Sequence, residues 1–404
     1  MNSSLITNSV IKNSLITGVT GVVGSALLLE LLQQTNDKVY VLIRSKRGES
    51  SASRLTKVLE FLETDIKLER SSDLILAERL IVLEGDLQEP TLGLGQEVYL
   101  NLTQNLDHIF HCAASVELYD KIEVAMKNSV VPTEQILELQ KRVLYHRPCK
   151  LEYVSTVGVL GKLDAVLTEE RVTAKRQFHN SYEQSKAMAE ELIYAAIDNG
   201  QTVVIHRPSM VVGNSQTGKI IHFQIFYFIL RFLMGQLTMG FLPLVKGFQL
   251  DTITSDTVAK ILVSSSRRNT SEGLILHHCS GPNVSVDLSY LQELAIGARE
   301  GIEANAPKAT NSLTLTQRLT VFKTRRCFKI PLVVLRGYLV IARALAIGSK
   351  RKKQLLAFES LLDYARSQQR FSNDRSRKLL SEWGIVIPIP DSYLSTVVRT
   401  FLSR

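Results

Sequence analysis

The chain has 404 residues, 45% hydrophobic and 22% charged, with a formal net charge of +9. That length supports a large core or two domains, and that composition excludes a disordered, repetitive or collagen-like chain. The cysteines, Cys112, Cys149, Cys279 and Cys327, form no Cys-x-x-Cys pair, which argues against a disulfide scaffold and predicts a reduced, cytoplasmic protein.

The first segment, "MNSSLITNSVIKNSLITG", has no basic stretch followed by an apolar run, so no secretory signal is expected. A short apolar run ends at Leu15-Ile16 and is followed by Gly18, Gly21 and Gly24. "SALLLELL" then reads as a helix and "KVYVLIR" as a buried parallel strand. Strand, glycine turn, helix and strand make a βαβ unit. Glycines there let the backbone approach a dinucleotide pyrophosphate seated at the helix N-terminus. An NAD enzyme usually places an acidic residue at the end of the second strand to bind the ribose 2′-hydroxyl. This chain has Arg44, with Lys46 and Arg47 close behind. A guanidinium attracts a 2′-phosphate that a carboxylate would repel, so NADPH is the expected cofactor.

"RLIVLEGDLQEP" predicts a third strand ending in Gly85-Asp86-Leu87, and "LDHIFHCAAS" a fourth ending in Ala113-Ala114-Ser115. Strand alternation puts His108 and His111 on opposite faces, which argues against a metal site there. "CKLEYVSTVGVLG" predicts a fifth strand ending at Ser155-Thr156. Downstream, "NSYEQSKAMAEEL" reads as a helix with Tyr182 and Lys186 one turn apart on one face. An ammonium about 4 Å from a phenol favours the phenolate by up to roughly 4 kcal/mol at an effective dielectric of 20. Lys186 is therefore expected to pull the Tyr182 pKa down towards the range of general acid–base chemistry. Thr156 can donate to the same substrate oxygen, which gains negative charge when a carbonyl takes up hydride.

With "TGVTGVVG", "GDL", "HCAAS", "YVSTVGV", "NSYEQSKAMAEEL" and "HRPSMVVGNSQTG" in this order, the chain resembles the extended short-chain dehydrogenase/reductase superfamily from about Ser14 to Gly281. "VYVLIRSKRGESSASRL", "LEGDLQEPTLGLG" and "HCAASVELY" resemble the branch of thioester reductases and fatty acyl-CoA reductases. The resemblance implies a doubly wound parallel α/β sheet and a catalytic triad of Thr156, Tyr182 and Lys186. It implies that Gly18, Thr20, Gly21, Val22, Val23 and Gly24 surround the cofactor phosphates and that Arg44 and Arg54 hold NADPH phosphates. It places Asp86 and Leu87 at the adenine, and Ala113, Ala114, Ser115 and Asn128 along the cofactor. Tyr182 and Lys186 also face the cofactor, and Pro208 and Ser209 lie near the nicotinamide. Where the family has Asn-x-x-Gly-Thr, this chain has "NSVVPT", with Pro132 in place of the glycine. The carboxyl-terminal third does not clearly match the terminal domain of fatty acyl-CoA reductases.

"KIIHFQIFYFILRFLMGQLTMGFLPL" is expected either to line an acyl tunnel or to fill the core, and Arg231, Gly235, Gly240 and Pro243 make it a poor membrane span. The insertion is placed at about residues 214–248 of a cofactor domain running from 13 to 281. Residues 282–404 are expected to form a mainly helical substrate or lid region. Within it, Lys329, Arg336, Arg343 and Lys350 recur every seven residues and form one basic stripe on a helix over 329–353. That helix fits a peripheral membrane contact, a lid facing substrate phosphates, or a subunit contact. "SNDRSRKLLSEWGIVIPIPDSYLSTVVRTFL" predicts two short helices around an extended turn.

The leading expectation is NADPH-dependent reduction of an acyl thioester, bound to CoA or to a carrier protein, or of the aldehyde it yields, so that the product is an aldehyde or an alcohol, with no metal and no nucleic acid involved. A hydroxysteroid-type dehydrogenase, a sugar-nucleotide epimerase or dehydratase, and a silent NADP(H)-binding regulator are the competing readings. Arg44 argues against the epimerase, and the presence of both Tyr182 and Lys186 argues against the regulator.

Overall fold

A computed structural model describes residues 11–46, 48–63, 78–113, 116–118, 120–163, 165–237, 242–245, 247–270, 273–305, 329–330, 337 and 369–404. Its centre is a seven-stranded parallel sheet. The strands are β1 (Asn13–Thr17), β2 (Lys38–Ile43), β3 (Leu80–Glu84), β4 (His108–His111), β5 (Lys150–Val154), β6 (Val203–Pro208) and β7 (Ile275–His278). Their order across the sheet is β7-β6-β5-β4-β1-β2-β3. The order reverses between β1 and β4, which opens a crevice at their carboxyl ends.

Successive side chains of a strand point to opposite faces, and here both faces are buried. Leu15, Tyr40, Leu42, Leu151 and Tyr153 pack on one face with residues of helices α3 (Gln96–Asn105), α4 (Ile122–Leu144) and α5 (Ser181–Asp198). Ile16, Val39, Val41, Phe110 and Val154 pack on the other with α1 (Val22–Gln34), α2 (Ser51–Leu62) and α7 (Ser255–Ser266). The helices between these strands have the connecting lengths that parallel crossovers require.

A third apolar core stands apart from the sheet. It joins α6 (Ile225–Leu233), α8 (Leu288–Asn305) and α10 (Pro390–Leu402) through Phe226, Tyr227, Phe232, Leu291, Leu394 and Val398. Of the aromatic run, Phe226, Tyr227 and Phe232 are buried, whereas Phe223 is 49% exposed. The tail forms two helices, α9 (Asp374–Glu382) and α10, joined by a stretch without helix that carries Pro388. The residues just before α9 form a separate two-stranded sheet: Arg370–Phe371 pairs in parallel with Val166–Leu167. The Glu169 carboxylate accepts from the Arg375 and Ser376 amides, at 2.7 and 2.9 Å, and so caps α9.

Ala114, Ser115 and Arg47 lie outside the described residues. So does the basic stripe over 329–353, apart from Lys329–Ile330, which pairs with Leu242–Pro243, and Gly337. Among the described residues no helix is long and apolar enough to cross a membrane.

The glycine turn is set by space. Gly18 has φ +76°, and a Cβ on it would lie 2.7 Å from the Ala113 nitrogen. A Cβ on Gly24 would lie 2.2 Å from the Gly18 carbonyl oxygen. Overpacking of this kind costs typically about 1–3 kcal/mol. Gly24→Ala is therefore expected to lower the free energy of unfolding by about that amount, measured by urea denaturation.

Candidate active site

The expected cofactor residues gather along the carboxyl edge of the sheet. β1 leads into Gly18, β2 into Arg44, β3 into Gly85-Asp86, β4 into Cys112-Ala113, β5 into Ser155-Thr156, and β6 ends at Pro208 before Ser209. Gly21 stands at the N-cap of α1 with no side-chain cap, so the first amides of that helix have no side-chain acceptor there. Val22 and Val23 pack their side chains into apolar cores, which leaves only their backbone to face a ligand. The tight glycine cradle, the uncapped helix and the nearby guanidinium groups fit a dinucleotide pyrophosphate.

Arg54 ties this edge together. Its Nη1 donates to the Arg44 carbonyl at 2.6 Å and its Nη2 to the Thr20 hydroxyl at 3.3 Å. Arg44 pairs with Asp86 at 3.4 Å, both side chains about a third or more exposed. Asp86 also accepts from the Gln88 amide at 3.0 Å, and the Gln88 side chain donates to Asn128 Oδ1 at 2.8 Å. Thr91 and Leu92 have positive φ, 53° and 62°, and fold the Leu92 carbonyl back onto the Asp86 amide at 2.8 Å. That strained turn fixes the end of β3. Pro132 lies inside α4 and supplies no N–H to the carbonyl of Asn128, four residues before it. His222, from the segment after Gly213, donates to the Thr20 carbonyl at 3.1 Å.

Thr156, Tyr182 and Lys186 come together between β5 and α5. Asn180 caps α5 by accepting from the Glu183 amide at 2.9 Å, which starts the helix one residue before Tyr182. Lys186 is 2% exposed. Its Nζ donates to the Val154 carbonyl at 2.7 Å and lies 4.6 Å from the Tyr153 ring centre. Burial lowers its pKa to about 8, against the upward pull of Glu190. The Tyr182 hydroxyl departs from the expectation of a lowered pKa. Burial raises it to about 12, the Glu183 charge raises it further, and the Thr156 hydroxyl pulls it down. Lys186 gives its ammonium to a carbonyl of β5, and desolvation is the dominant effect on the phenol. Tyr182 is accordingly a neutral phenol with a proton to donate.

His111 and His108 lie on opposite faces of β4. His111 stacks on Tyr153, bonds the Thr17 hydroxyl at 2.8 Å, and is held neutral by burial, its pKa lowered to about 3. His108 faces Arg267 and Glu152 and is likewise lowered by burial, to about 4. Among the described residues no group of three or more His, Cys, Asp or Glu could hold a metal ion.

Three participants carry little or no mark in the sequence. Glu190 lies one turn beyond Lys186, a spacing that could have marked it. Arg207 precedes Pro208, and its burial has no sequence signal. Asp251 is 8% exposed behind Ser209 and accepts from the Ser280 and Gly281 amides at 2.8 and 3.1 Å. Burial raises its pKa to about 6 against those hydrogen bonds.

The seven-stranded order and the glycine turn at its reversal are those of an extended short-chain dehydrogenase/reductase. The chain belongs to the male sterility protein family of NAD-binding domains, whose model matches residues 16–262. A linear gramicidin synthase of Brevibacillus parabrevis is 30% identical over 258 residues, 63% of this chain and 5% of that one. Fatty acyl-CoA reductase 1 of Xenopus laevis is 34% identical over 134 residues, 33% of this chain and 26% of that one. The chain thus spans a minor part of either relative. The terminal R domain of the myxalamid PKS-NRPS pathway superposes with a TM-score of 0.74 at 26% identity, covering 98% of this chain and 91% of that one.

The raised pKa of Asp251 gives a signed expectation. A carboxyl whose pKa is higher folded than unfolded binds more protons in the folded state between its two pKa values, here 3.8 and about 6. Its contribution to stability is greatest below that window and is lost as pH rises through it. The difference in unfolding free energy between wild type and Asp251→Asn is expected to fall from pH 4 to pH 6. Urea titrations at intervals across that range check it; a flat difference removes Asp251 from the account.

Proposed function

We propose that the chain is an NADPH-dependent reductase of acyl thioesters, held by CoA or by a carrier protein, and that it releases an aldehyde. The observation that carries this reading is the convergence of the Thr156 hydroxyl, Tyr182 and Lys186 at the strand ends beside the glycine cradle. The likeness to the myxalamid R domain and to a fatty acyl-CoA reductase supports the substrate class. The cytoplasmic location and the membrane or carrier contacts expected from the sequence belong to the same proposal.

NADPH, when bound, would supply hydride to the thioester carbonyl carbon. The chain's own residues manage the oxygen. Thr156 and Tyr182 donate hydrogen bonds to it as negative charge develops, and Tyr182 passes it a proton. The hemithioacetal then collapses: its hydroxyl loses a proton, the C–S bond breaks, and thiolate leaves to take a proton, giving aldehyde and thiol. Lys186, buried one turn from Tyr182 on the same helix face, would hold the ribose hydroxyls. Arg44 and Arg54 would hold the 2′-phosphate, and the glycine turn and the α1 amides the pyrophosphate.

Purified protein mixed with acyl-CoA thioesters of increasing chain length is expected to consume NADPH, followed by loss of its absorbance. Tyr182→Phe is expected to lower kcat by roughly 10²–10⁴-fold, the usual share of a general acid, with NADPH binding retained. Turnover confined to aldehydes or ketones, or full turnover by Tyr182→Phe, would falsify the reading.

Arg44→Ala tests the cofactor assignment separately. Loss of a charge-assisted bond of about 1.5–3 kcal/mol should raise the KM for NADPH roughly ten- to hundredfold and leave that for NADH nearly unchanged. Equal effects on both cofactors would take Arg44 away from the 2′-phosphate.

A further inference from the structure

The face of α5 that carries Tyr182 and Lys186 continues through Glu190 and Tyr194 at the same four-residue step. Glu190 is 1% exposed, and both of its oxygens are engaged. Oε1 accepts from the Ser155 hydroxyl at 2.5 Å and from Arg207 Nε at 3.0 Å. Oε2 accepts from the Tyr194 hydroxyl at 2.5 Å and from Arg207 Nη2 at 2.7 Å. Arg207, fully buried, also donates to the Tyr194 hydroxyl at 2.7 Å and to the Glu170 carbonyl at 2.9 Å.

The partners matter because of their neighbours in the chain. Ser155 is bonded to Thr156, and Arg207 leads through Pro208 to Ser209. One carboxylate on the helix of Tyr182 therefore grips the two strand ends that deliver the rest of the site. Stability alone does not account for such a group. A buried ion pair is often no more stable than well-packed apolar residues of similar volume.

Resting on the reductase reading, we propose that Glu190 is a positioning residue. It sets Thr156 and Ser209 against Tyr182 and maintains the charge on Lys186. The groups facing Lys186 support the second role. Its own helix presents Tyr182 and Glu190. β4 presents His111, which is neutral, and Cys112, whose thiol burial pushes up to about 12. β5 presents the Val154 carbonyl and the Tyr153 ring. β6 presents Arg207 only across Glu190, which it neutralises in part. Glu190 is thus the one full negative charge acting on Lys186 among the described groups that shift it.

Two variants separate position from charge. Glu190→Gln combined with Arg207→Met removes the carboxylate without stranding a guanidinium. Ser155→Ala keeps both charges and cuts only the tie to the Thr156 strand. In the double variant, the alkaline fall in kcat for an acyl-CoA with NADPH is expected to move acidward by about one pH unit. In Ser155→Ala, kcat is expected to drop about tenfold, as misplaced groups do, with the alkaline limb unmoved and the KM for NADPH unchanged. A folded double variant with the wild-type pH profile overturns the charge role. Ser155→Ala with wild-type kcat overturns the positioning role, whether or not the double variant folds. The pH dependence of NADPH affinity, read by cofactor fluorescence, follows Lys186 without turnover. If wild type binds NADPH but reduces no thioester, the substrate reading fails while the shifted binding limb still decides on Glu190.

Discussion

No methyl group fits between β1 and β4 at their carboxyl ends. A Cβ on Gly18 would run into the backbone of Ala113, and one on Gly24 into Gly18 itself. That close approach brings the start of α1 up to the sheet edge at the point where the strand order reverses. A helix beginning there presents backbone amides to the crevice, and no side chain caps them. Everything else along the edge is arranged around that point. Arg54 reaches back to Thr20 and Arg44, and Asp86 is pinned by a left-handed turn. The site is therefore built from positions that leave the backbone little freedom, which is how a sheet edge holds a flat ligand in one pose.

The second constraint is that a sheet covered on both faces has no water to spare for charges. This chain nevertheless buries two ionic groups within it. On one face, Glu190 and Arg207 link α5 to β6. On the other, Glu152 bonds His206 at 2.5 Å and Ser265 at 2.9 Å, lies 3.3 Å from Lys150, and His206 bonds His278 at 2.9 Å. Burial raises the pKa of both carboxyls, and their hydrogen-bonding and basic partners more than reverse it, so both end below the usual range. Removing one partner from either group would strand a charge, at about 3–5 kcal/mol, whereas the intact groups fix the register of neighbouring strands. The network containing Glu190 meets the site at two strand ends.

Much of this is legible in the sequence because it depends on local chemistry. Glycine spacing after an apolar run announces the turn, and β-branched runs announce strands buried on both faces. Tyr182 and Lys186 declare themselves by a four-residue step on a helix with an Asn180 cap. The illegible part depends on contacts between distant segments. Arg207 reads as an ordinary basic residue until β6 lies beside α5. Asp251 reads as a loop carboxylate until the Ser280 and Gly281 amides close on it. The aromatic run after Gly213 carries no sign that it shares a core with α8 and α10. The acidity of Tyr182 is hidden for the same reason. A four-residue step places an ammonium on the same helix face, and nothing in it shows the burial that raises the phenol or the Val154 carbonyl that the ammonium bonds.

The acidity of Tyr182 bears on how the pair would act. A phenol held as a neutral acid at pKa about 12 is poorly suited to pull a proton from an alcohol near neutral pH, and well suited to give one to an oxyanion. The Thr156 hydroxyl lowers that value by bonding the phenol oxygen, so it both orients the proton and eases its departure. Lys186, lowered to about 8 by burial, sits where a modest change in local charge decides whether it carries a proton. Among the described groups that shift Lys186, the Glu190 carboxylate one turn further along the helix brings the one full negative charge against the cost of burying the ammonium.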